Sequence, residues 1–98
     1  MLFRSGDTLN FAVSASGHPF YIRVSDGGAN VSTPAATNQG SQSGTVSWTP
    51  NTAGTYYYQC GFHSSMIGTI TVSAAVHTGK NCIYAAGHKL GEKLLCSG

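Results

Sequence analysis

Short runs of alternating apolar and polar residues, separated by turns, constrain the fold of this chain most strongly. A period of two is the period of a β-strand that buries one face. Asp-Gly, Pro-Asn and similar pairs between the runs indicate turns. The runs cover residues 8–13, 20–25, 45–49, 55–60 and 68–73. The pattern predicts an all-β fold of five or six short strands, arranged as a Greek-key β-sandwich or small barrel.

The low charge of the chain argues against several classes of function. Charged residues are 8% of the 98 residues, and the net charge is +2 with no cluster of basic side chains. Nucleic-acid binding and attachment to a membrane through a basic patch therefore have no support. No apolar run approaches about 18 residues, so we expect no membrane span. The first residues lack the basic and apolar regions of a signal peptide.

The composition changes after residue 75. Residues 76–98 carry three of the five basic residues and two of the three cysteines. We therefore expect one domain over residues 1–75 and an irregular C-terminal appendage of unknown role over residues 76–98. For Cys82 and Cys96 two expectations stay open: a disulfide between them, or two free thiols. A second metal site that uses them with His88 is disfavoured, because the spacing fits no known pattern.

The segment from Cys60 to Met66 carries the clearest chemical signal. It places a thiol, an imidazole and a thioether at Cys60, His63 and Met66, between two strand patterns. His18 precedes an upstream strand and shares the apolar face of that strand. Each residue alone is more often structural, but two imidazoles, one thiolate and one weak thioether together are the ligand set of blue copper sites. Structural zinc sites do not call for the methionine.

Three segments resemble the cupredoxins, the plastocyanin- and amicyanin-like blue copper proteins. They are GDTLNF at residues 6–11, GHPFYI at residues 17–22, and GTYYYQCGFHSSMIGTITV at residues 54–72. The sequences of these segments are also similar to cupredoxin-like domains of marine bacterial, cyanobacterial and phage proteins. The resemblance implies a cupredoxin-type sandwich that binds one type 1 copper ion. The implied ligands are His18, Cys60, His63 and Met66.

The chain departs from the family at its N-terminal end. Cupredoxins usually have a strand before the GDT segment, but only five residues precede Gly6 here. Three explanations remain open: the first strand is lost, residues 76–98 replace it, or the chain is a fragment.

The resemblance implies an electron-transfer protein in which copper cycles between Cu(I) and Cu(II). Redox partner proteins would dock at the exposed edge of His63, on an apolar patch of Phe62, Ile67 and Pro19. The alternative is a structural or interaction module of a larger secreted or virion protein, with copper structural or absent. Copper carriage is a third hypothesis. We expect no enzymatic activity, because a second copper centre needs more histidines than the four present. We expect an extracytoplasmic location, periplasmic or secreted.

Overall fold

The computed structural model describes residues 2–32, 34–74, 81–86 and 93–97, and these residues contain eight β-strands. No helix occurs within these residues, so none is long and apolar enough to cross a membrane. The predicted all-β fold is confirmed. The strands are β1 (Leu2–Arg4), β2 (Thr8–Ser14), β3 (Phe20–Arg23), β4 (Ser43–Trp48), β5 (Gly54–Cys60), β6 (Ile67–Ser73), β7 (Asn81–Ala86) and β8 (Lys93–Ser97).

The strands of the described residues form two four-stranded sheets. The order is β1-β6-β5-β3 in the first sheet and β4-β2-β7-β8 in the second. Antiparallel pairs dominate, but β1 runs parallel to β6 and β7 runs parallel to β2. Both sheets are therefore mixed, and each contains strands that are distant in the sequence.

Apolar side chains from both sheets meet in one core. Phe11 and Val46 come from the second sheet, Ile22 and Ile70 come from the first, and all four are fully buried. The rings of Phe11 and Phe20 lie 4.8 Å apart between centroids, which joins β2 to β3 across the core. Full burial of such a side chain contributes about 1.5–3 kcal/mol. The two inner faces therefore pack as a β-sandwich, as the alternating pattern predicts.

The described part of the C-terminal segment differs from the irregular appendage expected there. β7 pairs with β2 from Thr8 opposite Asn81 to Val13 opposite Ala86, and β8 pairs with β7. Glycines divide this segment into short runs that suit strands better than a helix. β7 and β8 thus belong to the second sheet, and the short strand β1 precedes Gly6 and pairs with β6 in the first sheet. The register of β7 and β8 also sets Cys82 opposite Cys96.

Candidate metal centre

The pairing of β3 with β5 brings His18 towards Cys60. Phe20 lies opposite Cys60 in this antiparallel pair, and the N–H of Gly61 donates to the carbonyl of Pro19 at 2.8 Å. His18 precedes Pro19 directly, so its side chain starts beside the loop that follows β5. Two residues 42 positions apart in the sequence therefore share one end of the sandwich.

A tight turn sets the direction of His18. The N–H of His18 donates to the carbonyl of Ala15 at 2.9 Å. Gly17 has φ of +82°, a left-handed conformation that favours glycine. Its N–H donates to the side-chain oxygen of Gln42 at 2.8 Å, which ties the turn to the segment before β4.

The segment of residues 60–66, called the ligand loop below, is closed by its own backbone. The N–H of Cys60 donates to the carbonyl of Met66 at 3.0 Å. The N–H of Met66 donates to the carbonyl of His63 at 2.9 Å. These bonds place the first, middle and last predicted ligands of the loop close together in the backbone.

Three ligand atoms form a compact triangle. Nδ1 of His18 lies 3.1 Å from Nδ1 of His63, and Sγ of Cys60 lies 3.7 Å and 3.5 Å from the same two nitrogens. Bonds of about 2.0 Å to nitrogen and about 2.3 Å to sulfur, in tetrahedral or trigonal geometry, separate ligand atoms by about 3.3–3.8 Å. The triangle is therefore close to the size that a bound transition-metal ion requires, and its donor types suit copper or zinc.

The surroundings of the triangle differ from one ligand to the next. Cys60 is buried, His18 is half-buried and His63 is exposed. The backbone N–H of Phe62 donates to Sγ of Cys60 at 3.4 Å, and such a donor stabilises negative charge on the sulfur. The site thus has a shielded thiol and one ring that reaches the surface.

Met66 lies at the end of the ligand loop and is half-buried, with its side chain packed against the hydrophobic core. The backbone of Met66 is hydrogen-bonded to the backbones of both Cys60 and His63, so Met66 lies next to the triangle. The structure therefore brings His18, Cys60 and His63 together and places Met66 beside them. Its role as the axial ligand stays a prediction.

The predicted docking patch needs one correction. Phe62 is 70% exposed and Ile67 is half-buried, but Pro19 is buried. Pro19 is covered because the chain at Gly61 lies against it, held by the bond from the Gly61 N–H to the Pro19 carbonyl. The apolar surface next to His63 therefore consists mainly of Phe62.

Gln59 is a buried residue for which the sequence analysis predicted no role. It precedes Cys60 in β5, is fully buried, and makes hydrogen bonds with both polar atoms of its side-chain amide. A polar side chain directly before a predicted ligand, at a strand position, is the signal that points to it.

Comparison of the chain with known protein families gives no match, and comparison with curated proteins gives none. The case for a function consequently depends on the fold and on the triangle of ligand atoms.

Proposed function

We propose that this protein is a cupredoxin-type electron-transfer protein with a type 1 copper site. The observation that carries the proposal is the triangle of His18 Nδ1, His63 Nδ1 and Cys60 Sγ, with separations of 3.1–3.7 Å. Met66 at the end of the same loop completes the ligand set of a blue copper site. Bound copper supplies one-electron chemistry between Cu(I) and Cu(II).

The protein's own residues favour a fixed geometry around the buried thiol of Cys60. Cys60 ends a strand that is paired on both sides, with β3 and β6, so its backbone has little freedom. The exposed ring of His63 and the exposed Phe62 beside it form the natural contact surface for a redox partner. Transient redox encounters use small interfaces, which suits a contact surface centred on these two rings.

The proposal includes an extracytoplasmic location and a carrier without enzymatic activity. It also keeps residues 1–75 as the copper-binding unit, with residues 76–98 as an addition to it. Two of the four histidines belong to the proposed site, which leaves too few for a second copper centre.

One observation favours the alternative of a structural or interaction module. In the metal-free protein, one Nδ1–H of the His18–His63 pair can donate to the other nitrogen across 3.1 Å. This hydrogen bond can therefore hold the two imidazoles together at this end of the sandwich without a metal. A structural module would hold copper as a fixed structural ion or bind none, and it need not show reversible redox cycling.

Titration of the metal-free protein with Cu(II), followed by visible absorption and EPR, tests the proposal. We expect one equivalent of copper to produce an intense thiolate-to-copper band and narrow copper hyperfine splitting. Cys60→Ser should abolish the band, whereas the matched control Cys82→Ser should keep it. Circular dichroism would verify that both variants are folded. A folded wild-type protein without the band would refute the proposal.

A further inference from the structure

The amide of Gln59 joins four groups from three parts of the chain. Its Oε1 accepts hydrogen bonds from Nη1 of Arg23 and from the N–H of Gly27, each at 2.9 Å. Its Nε2 donates to Oδ1 of Asp26 and to the carbonyl of Ser64, each also at 2.9 Å. A side-chain amide offers two donors and two lone pairs, so this one is fully used.

The charged neighbours fix the orientation of the amide. Arg23 can only donate, so Oε1 must face it, and the carboxylate of Asp26 accepts from Nε2. Hydrogen bonds to ionised groups are stronger than neutral ones, and linked hydrogen bonds polarise one another. The arrangement therefore directs the second Nε2–H firmly at Ser64.

Ser64 is the point at which this network reaches the ligand loop. It follows His63 directly, and residues 61–65 are exposed, so little packing holds this stretch of backbone. The bond from the Gly61 N–H to the Pro19 carbonyl holds the start of the loop, and the bond from Gln59 holds its middle.

We propose that Gln59 is a positioning residue that holds the ligand loop in its metal-binding conformation before the metal arrives. The inference rests on the proposed function for the identity of the metal site. By fixing the Ser64 carbonyl, Gln59 restricts the backbone of His63 and keeps its Nδ1 near the other two ligand atoms. Without this bond, ordering the loop would be part of the cost of binding, because fixing backbone dihedrals opposes binding entropically.

The double variant Gln59→Glu with Asp26→Asn removes the bond to Ser64 selectively. The carboxylate introduced by Gln59→Glu would still accept from Arg23 and Gly27. The amide introduced by Asp26→Asn would donate to the second oxygen of that carboxylate. A carboxylate cannot donate to the Ser64 carbonyl, so that bond is lost and the second carboxylate oxygen faces the carbonyl oxygen instead, a repulsion that the Gln59→Met variant described below does not introduce. The matched control is Asp26→Asn alone, because its amide oxygen can still accept from Gln59.

Amide hydrogen exchange in the metal-free protein is the first readout. In the double variant we expect exchange at the Met66 N–H, which donates to His63, to be about three- to tenfold faster. The Gly61 N–H should change less, because its bond to Pro19 remains. The Asp26→Asn variant should show the exchange rates of the wild type at both of these N–H groups.

Binding of Cu(II) is the second readout. We expect the double variant to bind about three- to tenfold more weakly than Asp26→Asn, with broader EPR lines from a less uniform site. Equal exchange at Met66 and equal affinity in the two proteins would overturn the inference. A third outcome separates the two proposals. If exchange at Met66 is faster in the double variant, but the wild type and both variants all lack the thiolate-to-copper band, the positioning role is sustained and the copper function is refuted.

Two further variants keep the inference testable if the double variant does not fold. Gln59→Met keeps the size of the side chain and should also speed exchange at Met66. Gln39→Met is the matched glutamine control, since Gln39 bonds only to the backbone of Ile22 among the described contacts. It should lower the melting temperature without a selective effect at Met66, and an equal effect of both variants there would contradict the inference.

Discussion

Substitution of Gly61 by alanine is expected to destabilise the fold through a steric clash with Tyr21. A Cβ at Gly61 would lie 2.6 Å from Cε2 of Tyr21 and 3.3 Å from Cγ of Pro19. Carbon atoms pack favourably at about 3.5–4.0 Å, so the ring or the loop would have to move by about 1 Å. The ring has little room, because the Arg23 guanidinium lies 4.9 Å from its centroid. Its hydroxyl also packs close to Gly40.

The expected cost of Gly61→Ala follows from this overlap. Overpacking of this kind costs about 1–3 kcal/mol. Each kcal/mol lowers the melting temperature of a domain of this size by about 4–8 °C. We therefore expect the melting temperature, monitored by circular dichroism, to decrease by about 4–24 °C.

A double-mutant cycle isolates the contact with Tyr21. In a Tyr21→Ala background the added methyl group of Gly61→Ala has space, so the decrease should be much smaller than in the wild type. Equal decreases in the two backgrounds, or no decrease in the wild type, would refute the reasoning. A selective loss of the copper band in Gly61→Ala would show that the loop has moved instead of the ring.

Three further predictions concern the surface, the core and the C-terminal strands. Phe62→Ser should change the free energy of unfolding by less than about 0.5 kcal/mol, because the ring is exposed. The same substitution should reduce the rate of electron self-exchange of the copper-loaded protein, measured by NMR. An unchanged self-exchange rate would contradict the docking role. Trp48→Phe should lower the melting temperature by about 4–8 °C, because the indole N–H donates to the Pro34 carbonyl at 2.9 Å; an unchanged melting temperature would count against that bond. Oxidation by oxidised glutathione should join Cys82 to Cys96, whose opposite positions fall within disulfide range. Mass spectrometry after alkylation should then find one linked peptide pair, and two alkylated peptides would show that the prediction is wrong.

The sequence predicted the central strands well because their apolar positions alternate clearly. β2, β3, β5 and β6 lie close to the predicted runs. β1 was not predicted, because three residues are too few for a period and its parallel partner β6 is distant in the sequence. β7 and β8 were not predicted because glycine-rich flanks hide their pattern, and pairing with β2 decides their structure.

The ligand triangle was predictable because local spacing and strand parity act together. Cys60 and His63 are near neighbours in one loop, and His18 extends the buried face of β3 towards Cys60. The role of Gln59 was not predictable in this way. Its partners come from the end of β3, from the turn after β3 and from the ligand loop, so the network exists only after these segments have met. The burial of Pro19 has the same origin, since the folded loop covers it.

X-ray absorption at the copper edge tests the central claim most directly. The protein loaded with one equivalent of copper should show two nitrogen ligands and one short sulfur ligand, in both the Cu(II) and the Cu(I) state. The sulfur contribution should disappear in Cys60→Ser. A first coordination shell of nitrogen and oxygen alone in the wild-type protein would contradict the proposed copper site.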